Sequence, residues 1–342
     1  MRSVLRIDTP ATVDLSLILR GVFASSVVFW HVVGWRLDGH IWAGLNLPGR
    51  ASVWMFFGLS GYVIGHGFFS GRYALDLAGI NNFYLRRAVR ILPLFWLISL
   101  LALGASLLGV IAFDWTPGTL AAALFMLQWS HVTYPVGVFW TLGIEMQFYL
   151  VAPFLCWALV KAGRFWVVAG FGVLVLLLIL FGEQPDLRTL PGVIMFFLAG
   201  LLMARWAVAA PEVMKSWTVW TNMALGCVAL MVVSDAYPAR FWNHVGPVFV
   251  VVALMLFLRA HVAMERRAVP AGRVTRGLMV VGTLAYGLYA WHGLLLVVWM
   301  PFQENLALTY GTSLLLAWLS FVLFERPVRR RVERRHAEGA AG

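Results

Sequence analysis

Leu19–His31 reads LRGVFASSVVFWH, and this stretch decides how the chain is read. It lies inside the first long apolar run and carries two ionisable side chains, Arg20 and His31. They are eleven positions apart, which on a helix is about three turns and roughly 16 Å of rise. At about 100° per residue, that separation returns to nearly the same face. One face of one membrane helix therefore carries a guanidinium near one end and an imidazole toward the other. Ionisable groups at membrane depth are costly and tend to mark function. The structural alternative is a snorkelling arginine and a core histidine bonded to a carbonyl.

The composition agrees with a membrane setting. Of 342 residues, 61% are hydrophobic and 12% charged, against about 25% charged in soluble domains. The mean hydropathy is +0.83. The runs are helix-length, so the expected fold class is all-α, a polytopic membrane helical bundle, and not an outer-membrane barrel. Cys156 and Cys227 lie in apolar runs without metal-ligand or redox spacing, and no metal is expected. The first run is followed by Trp35, Arg36 and Asp38 without a small-residue cleavage site, so it is expected to be retained.

About ten spans are expected, near 14–35, 51–70, 90–112, 138–160, 165–181, 190–206, 218–235, 245–261, 278–300 and 307–324. The apolar stretch 118–130, between Pro117 and Pro135, is short for a span and reads as re-entrant or interfacial. With ten spans and both ends inside, 21 of the 26 Lys and Arg fall on the inner side and four on the outer, with Arg20 inside a span. This split obeys the positive-inside rule and assigns both termini to the cytoplasm, in the inner membrane. The net charge of +11 is thus first a topology signal, and nucleic acid is not an expected partner. Residues 1–325 read as one membrane domain and 326–342 as a short basic cytoplasmic tail.

Depth then sorts the ionisable groups. At 1.5 Å per residue, His31 lies about 25 Å above the inner edge, His292 about 21 Å above it, and Glu145 about 10 Å below the outer edge. In a core ~30 Å thick all three fall in the outer half, a plausible acid–base cluster. Glu145 is too far into its helix for a capping role, whereas His292 could simply bond a carbonyl. On the inner side, FYLRRAVRILPLFW carries Arg86, Arg87 and Arg90 before Pro93. Arg87 and Arg90 share a helix face. They read as a topology anchor or as a phosphate clamp, which guanidinium forks suit, with Arg20 able to join. Glu325 is a candidate internal partner for one of these arginines. Gly58, Ser60, Gly61 and Gly65 in FFGLSGYVIG serve close helix packing or close approach to a ligand.

Taken in order, these segments resemble the membrane acyltransferase-3 family, whose members O-acylate glycans and some small molecules. LRGVFASSVVFWH is similar to the family's opening arginine, ten residues, histidine. WMFFGLSGYVI resembles its FF-x-LSG segment, and NFYLRRAVRILPLFW its arginine-rich third-helix entry. WTLGIEMQFYLVAPF resembles W-S-L-x-x-E-x-x-FYL-x-x-P, and YGLYAWHGLL and FERPVRR its late Y-x-L-Y-x-WH and E-x-P motifs. The sequence departs from the family at Leu17 and Trp54, where an acid is common, and at Thr141, where a serine is usual. The resemblance implies acyl-CoA as donor, with acetyl-CoA expected, and a saccharide or lipid-linked glycan as acceptor within the lipid bilayer. It implies His31 as the essential histidine, Arg20 as its partner, Arg87 and Arg90 as the paired arginines and Glu145 as the carboxylate. His292 joins the candidate catalytic set with His31 and Glu145. Direct transfer and an acyl-histidine relay both fit. A transporter with a His/Glu/Arg proton relay is the competing class, and a small-molecule acceptor the second alternative.

Overall fold

The structure is a computed structural model that describes residues 7–33, 49–128, 134–161, 188–209, 216–232 and 245–339. Among them every regular element is helical. The helices are α1 Leu15–Val32, α2 Gly49–Phe69, α3 Leu77–Leu107, α4 Pro117–Phe125, α5 Trp140–Lys161, α6 Leu190–Ala209, α7 Ser216–Val232, α8 Gly246–Arg266, α9 Arg273–Thr283, α10 Ala285–Val298, α11 Met300–Glu304, α12 Leu306–Ser320 and α13 Arg326–Gly339. A short 3₁₀ turn, Gly137–Phe139, leads into α5, and a π turn, Phe321–Glu325, joins α12 to α13.

Six of the described helical stretches are long and apolar enough to cross a bilayer, and a seventh results if α9 and α10, bent by 57°, form one span. The chain is a multi-pass membrane protein. Of the other expected spans, 51–70 coincides with the 21-residue α2 and 218–235 with the 17-residue α7. The expected span 165–181 lies outside the described residues. The stretch 118–130 forms only the nine-residue α4, begun by a Thr116–Thr119 capping box and ended by Met126 at φ 53°. Helix α3 begins well before the expected 90, because Asp76 caps it through Gly79 N–H. The arginine triplet thus lies within α3.

Small residues set the packing. A Cβ on Gly61 would lie 2.2 Å from the Phe197 carbonyl, and one on Gly200 2.0 Å from the Gly58 carbonyl, so α2 and α6 touch backbone to backbone. Gly282 meets the Leu17 carbonyl of α1 in the same way, at 1.8 Å. The glycines of the second span therefore serve helix packing. Leu17 lies against Gly282 and His31 against His292, so α1 runs parallel to the α9–α10 pair. Where α1 begins, Asp14 accepts from Leu17 N–H and lies 3.8 Å from His261 of α8, which in turn lies 3.8 Å from Glu265. The segment before α1 pairs with the turn after α8 through Val13 N–H to the Val269 carbonyl.

Candidate active site

Six helices line one cavity. From α2 come Val53, Phe56, Phe57 and Ser60, spaced i, i+3, i+4 and i+7. From α5 come Thr141, Leu142, Glu145 and Tyr149; from α3, Arg87, Arg90 and Ile91. Arg20 of α1 and the α9–α10 pair, through Gly282, Ala285, Tyr286 and Tyr289, complete the wall. Gly61 and Gly65 face α6 and Gly58 faces Leu254 of α8, while Ser60 faces the cavity, so one apolar-looking motif serves both roles.

Glu145 is the carboxylate of this wall. Its Oε1 accepts from Ser60 Oγ at 2.5 Å and from the Tyr149 hydroxyl at 2.5 Å. Arg87 lies over the rings of Tyr149, 5.4 Å from the centroid, and Phe83, 5.6 Å, a cation–π arrangement that fixes a long side chain. Tyr286 donates to the Ile91 carbonyl at 2.7 Å and holds α10 against α3. Three cations and one carboxylate share the cavity, a charge balance suited to an anionic guest.

The histidines form a separate pair. His292 is fully buried, and its Nε2 lies 3.3 Å from Nδ1 of His31. Its own Nδ1 lies 3.3 Å from the Leu288 carbonyl. A carbonyl only accepts, so Nδ1 of His292 carries the hydrogen and, in the neutral ring, Nε2 is a lone pair. Nδ1–H of His31 then donates to it, which leaves the lone pair of His31 on Nε2. As a residue, His31 is exposed. Tyr289 stands between the pair and the cavity. Its ring meets His292 edge-on at 5.4 Å; its hydroxyl donates to the Val138 carbonyl at 2.9 Å and shares a 2.8 Å bond with Thr141.

The structure thus gathers Arg20, Arg87, Arg90 and Glu145 around one cavity and His31 with His292 beyond its Tyr289 wall. Glu145, expected from depth beside His31, is bonded to Ser60 and Tyr149, and the partner of His31 is His292. Depth along the helices says nothing of rotation about them, which explains the difference. Sequence reasoning passed over Tyr149, Tyr286 and Tyr289. For Tyr286 and Tyr289 the signal is the Y-x-L-Y spacing, which puts both on one face. Glu325 accepts from Ser320 Oγ at 3.4 Å and lines a second cavity together with Arg90.

Membrane helices thus surround a basic cavity, with a histidine pair beyond its Tyr289 wall. The profile of the acyltransferase domain of the acyltransferase-3 family matches residues 16–324, and the chain belongs to that family. Neither a curated protein nor a solved structure matches it.

Proposed function

We propose that this acyltransferase moves an acyl group, most simply acetyl, from acyl-CoA on the cytoplasmic side of the inner membrane to a hydroxyl of a cell-surface or lipid-linked saccharide. The observation that supports this is the order of groups along the bundle: arginines around a cavity, then Tyr289, then the His31–His292 pair. A CoA thioester has the same order, phosphates at one end and the acyl carbon at the other.

In this reading Arg20, Arg87 and Arg90 hold donor phosphates by charge-assisted bonds. Nε2 of His31 takes the proton of the acceptor hydroxyl as its oxygen attacks the thioester carbonyl. The C–S bond breaks, and the departing thiolate receives that proton from the imidazolium. The products are the ester and free CoA. In the acyl-histidine variant the same Nε2 attacks the thioester carbonyl and the C–S bond breaks to release CoA thiolate; the acceptor oxygen then displaces the imidazole, and the hydroxyl proton goes to the thiolate.

The test is transfer of label from acetyl-CoA to membrane glycolipid by the purified protein in lipid. Label in the glycolipid with the parent, and its loss with His31→Ala at equal protein level, is the expected result. No transfer by the parent to any hydroxyl acceptor refutes the reading and returns the transporter class. Label recovered on a small molecule instead corrects the acceptor.

A further inference from the structure

A second, wider cavity adjoins the first and shares Arg20, Arg90, Gly282 and Tyr286 with it. Arg326, Arg329 and Arg330 of α13 line it, and the exposed Arg329 and Arg330 form its rim. These three are spaced i, i+3 and i+4, so they share one helix face. Arg331, the next residue, is exposed and is not part of this wall. The carboxylates on the wall are Asp8 and Glu325. Asp8 is bonded to Arg326 at 2.9 Å, which ties the segment before α1 to α13, and Glu325 accepts from Ser320. The acyltransferase match ends at 324, so this rim lies beyond it. The sequence pattern alone reads it as a basic tail.

The basic groups thus form two tiers. Arg20 and Arg90 stand where the two cavities meet; Arg329 and Arg330 stand at the open end. The nucleotide end of CoA also carries phosphate in two places, the 5′-diphosphate that leads into the uncharged arm and the 3′-monophosphate on the ribose. Building on the donor reading above, we propose that Arg329 and Arg330 bind the 3′-phosphate of acyl-CoA, while the diphosphate lies with Arg20 and Arg90. The rim is then a selectivity device for CoA over 3′-dephospho-CoA. Anionic lipid headgroups share the phosphate chemistry. The continuity of the rim with a cavity that reaches Arg20 favours the nucleotide.

The experiment measures equilibrium binding of CoA and of dephospho-CoA to the full chain in phosphatidylcholine nanodiscs. The parent is expected to bind CoA more tightly. Arg329→Ala/Arg330→Ala should weaken CoA roughly tenfold, as loss of charged hydrogen bonds at an accessible site implies, and leave dephospho-CoA within about twofold. Arg331→Ala, with the same charge change on another face, should leave both unchanged. Equal weakening of both ligands by the double variant, an equal effect of Arg331→Ala, or a parent that does not distinguish the two ligands overturns the proposal. A difference that appears only with phosphatidylglycerol present assigns the rim to lipid and also overturns it. If the parent discriminates as expected but transfers no acetyl, the rim stands and the acyl-transfer reading fails. If it binds neither ligand, both fall together.

Discussion

Around the cavity three guanidiniums share a wall with a single carboxylate; beyond its Tyr289 wall two imidazoles meet across 3.3 Å. The arginine end is wide, opens into a second cavity and is redundant in charge. Its attraction for an anion does not depend on one rotamer, because several forks converge on the same space. The histidine pair is specified bond by bond: the Leu288 carbonyl fixes His292, His292 fixes the tautomer of His31, and Tyr289 meets the His292 ring edge-on. The first design suits binding of a long charged molecule, and the second suits placement of one proton. Substitutions at the two ends should therefore differ in which kinetic constant they move.

The sharpest test is at His31. His31→Ala removes the general base, and kcat should fall about 10²- to 10⁴-fold while donor affinity is kept. Equilibrium binding of acetyl-CoA alongside single-turnover transfer checks both parts. Near-parental turnover would end the assignment of this end to proton transfer.

At the opposite end, Arg90→Ala should raise the KM for acetyl-CoA roughly ten- to a hundredfold, with kcat changed far less, since it removes charged hydrogen bonds worth about 1.5–3 kcal/mol each. Steady-state kinetics over a wide donor range separates the constants. A fall in kcat with KM unchanged would erase the contrast between the ends.

Much of that contrast was visible in the chain. Arg20 and His31 share a helix, so 3.6-residue periodicity alone placed them on one face. The spacing of Arg87 and Arg90 placed both on one face of α3 for the same reason. What periodicity could not supply was rotation between helices. Glu145 shares a depth with the histidines, yet the phase of α5 turns it toward Ser60 and Tyr149. The bend at Leu284 was also hidden: the run from Gly277 to Val298 contains no proline, and the break goes with the backbone contact of Gly282 on Leu17. The α13 rim was hidden for another cause, since arginines that serve topology and arginines that line a cavity look alike in sequence.

Glu145 shares the wall with the arginines, and its variant measures how far that wall communicates with the histidine pair. Glu145→Gln keeps shape and an acceptor oxygen for Ser60 and Tyr149 but removes the charge. Charge-assisted bonds are about twice as strong as neutral ones, so an effect of about tenfold on kcat/KM is expected. If the ends are distinct, most of it should appear in KM, because Glu145 balances the arginines. An effect confined to kcat would link Glu145 to the histidine pair after all. The measurement is the same donor titration, with protein stability followed by thermal unfolding.

The smallest expected effect is at Tyr289, where the cavity wall meets the histidine pair. Tyr289→Phe removes one hydroxyl, and the Val138 carbonyl keeps a second donor in Thr141 at 3.0 Å. No buried acceptor is orphaned, so the fold should lose little stability. The phenyl ring still meets His292 edge-on, but its position is no longer held by the bond to Val138. A net hydrogen bond is worth about 1 kcal/mol, so kcat should fall by about fivefold with the KM for the donor unchanged. A loss as large as that of His31→Ala would mean that the hydroxyl itself touches the reacting atoms. A rise in rate would mean that Tyr289 blocks the thioester from reaching His31, and the wall between the two ends would then be a gate.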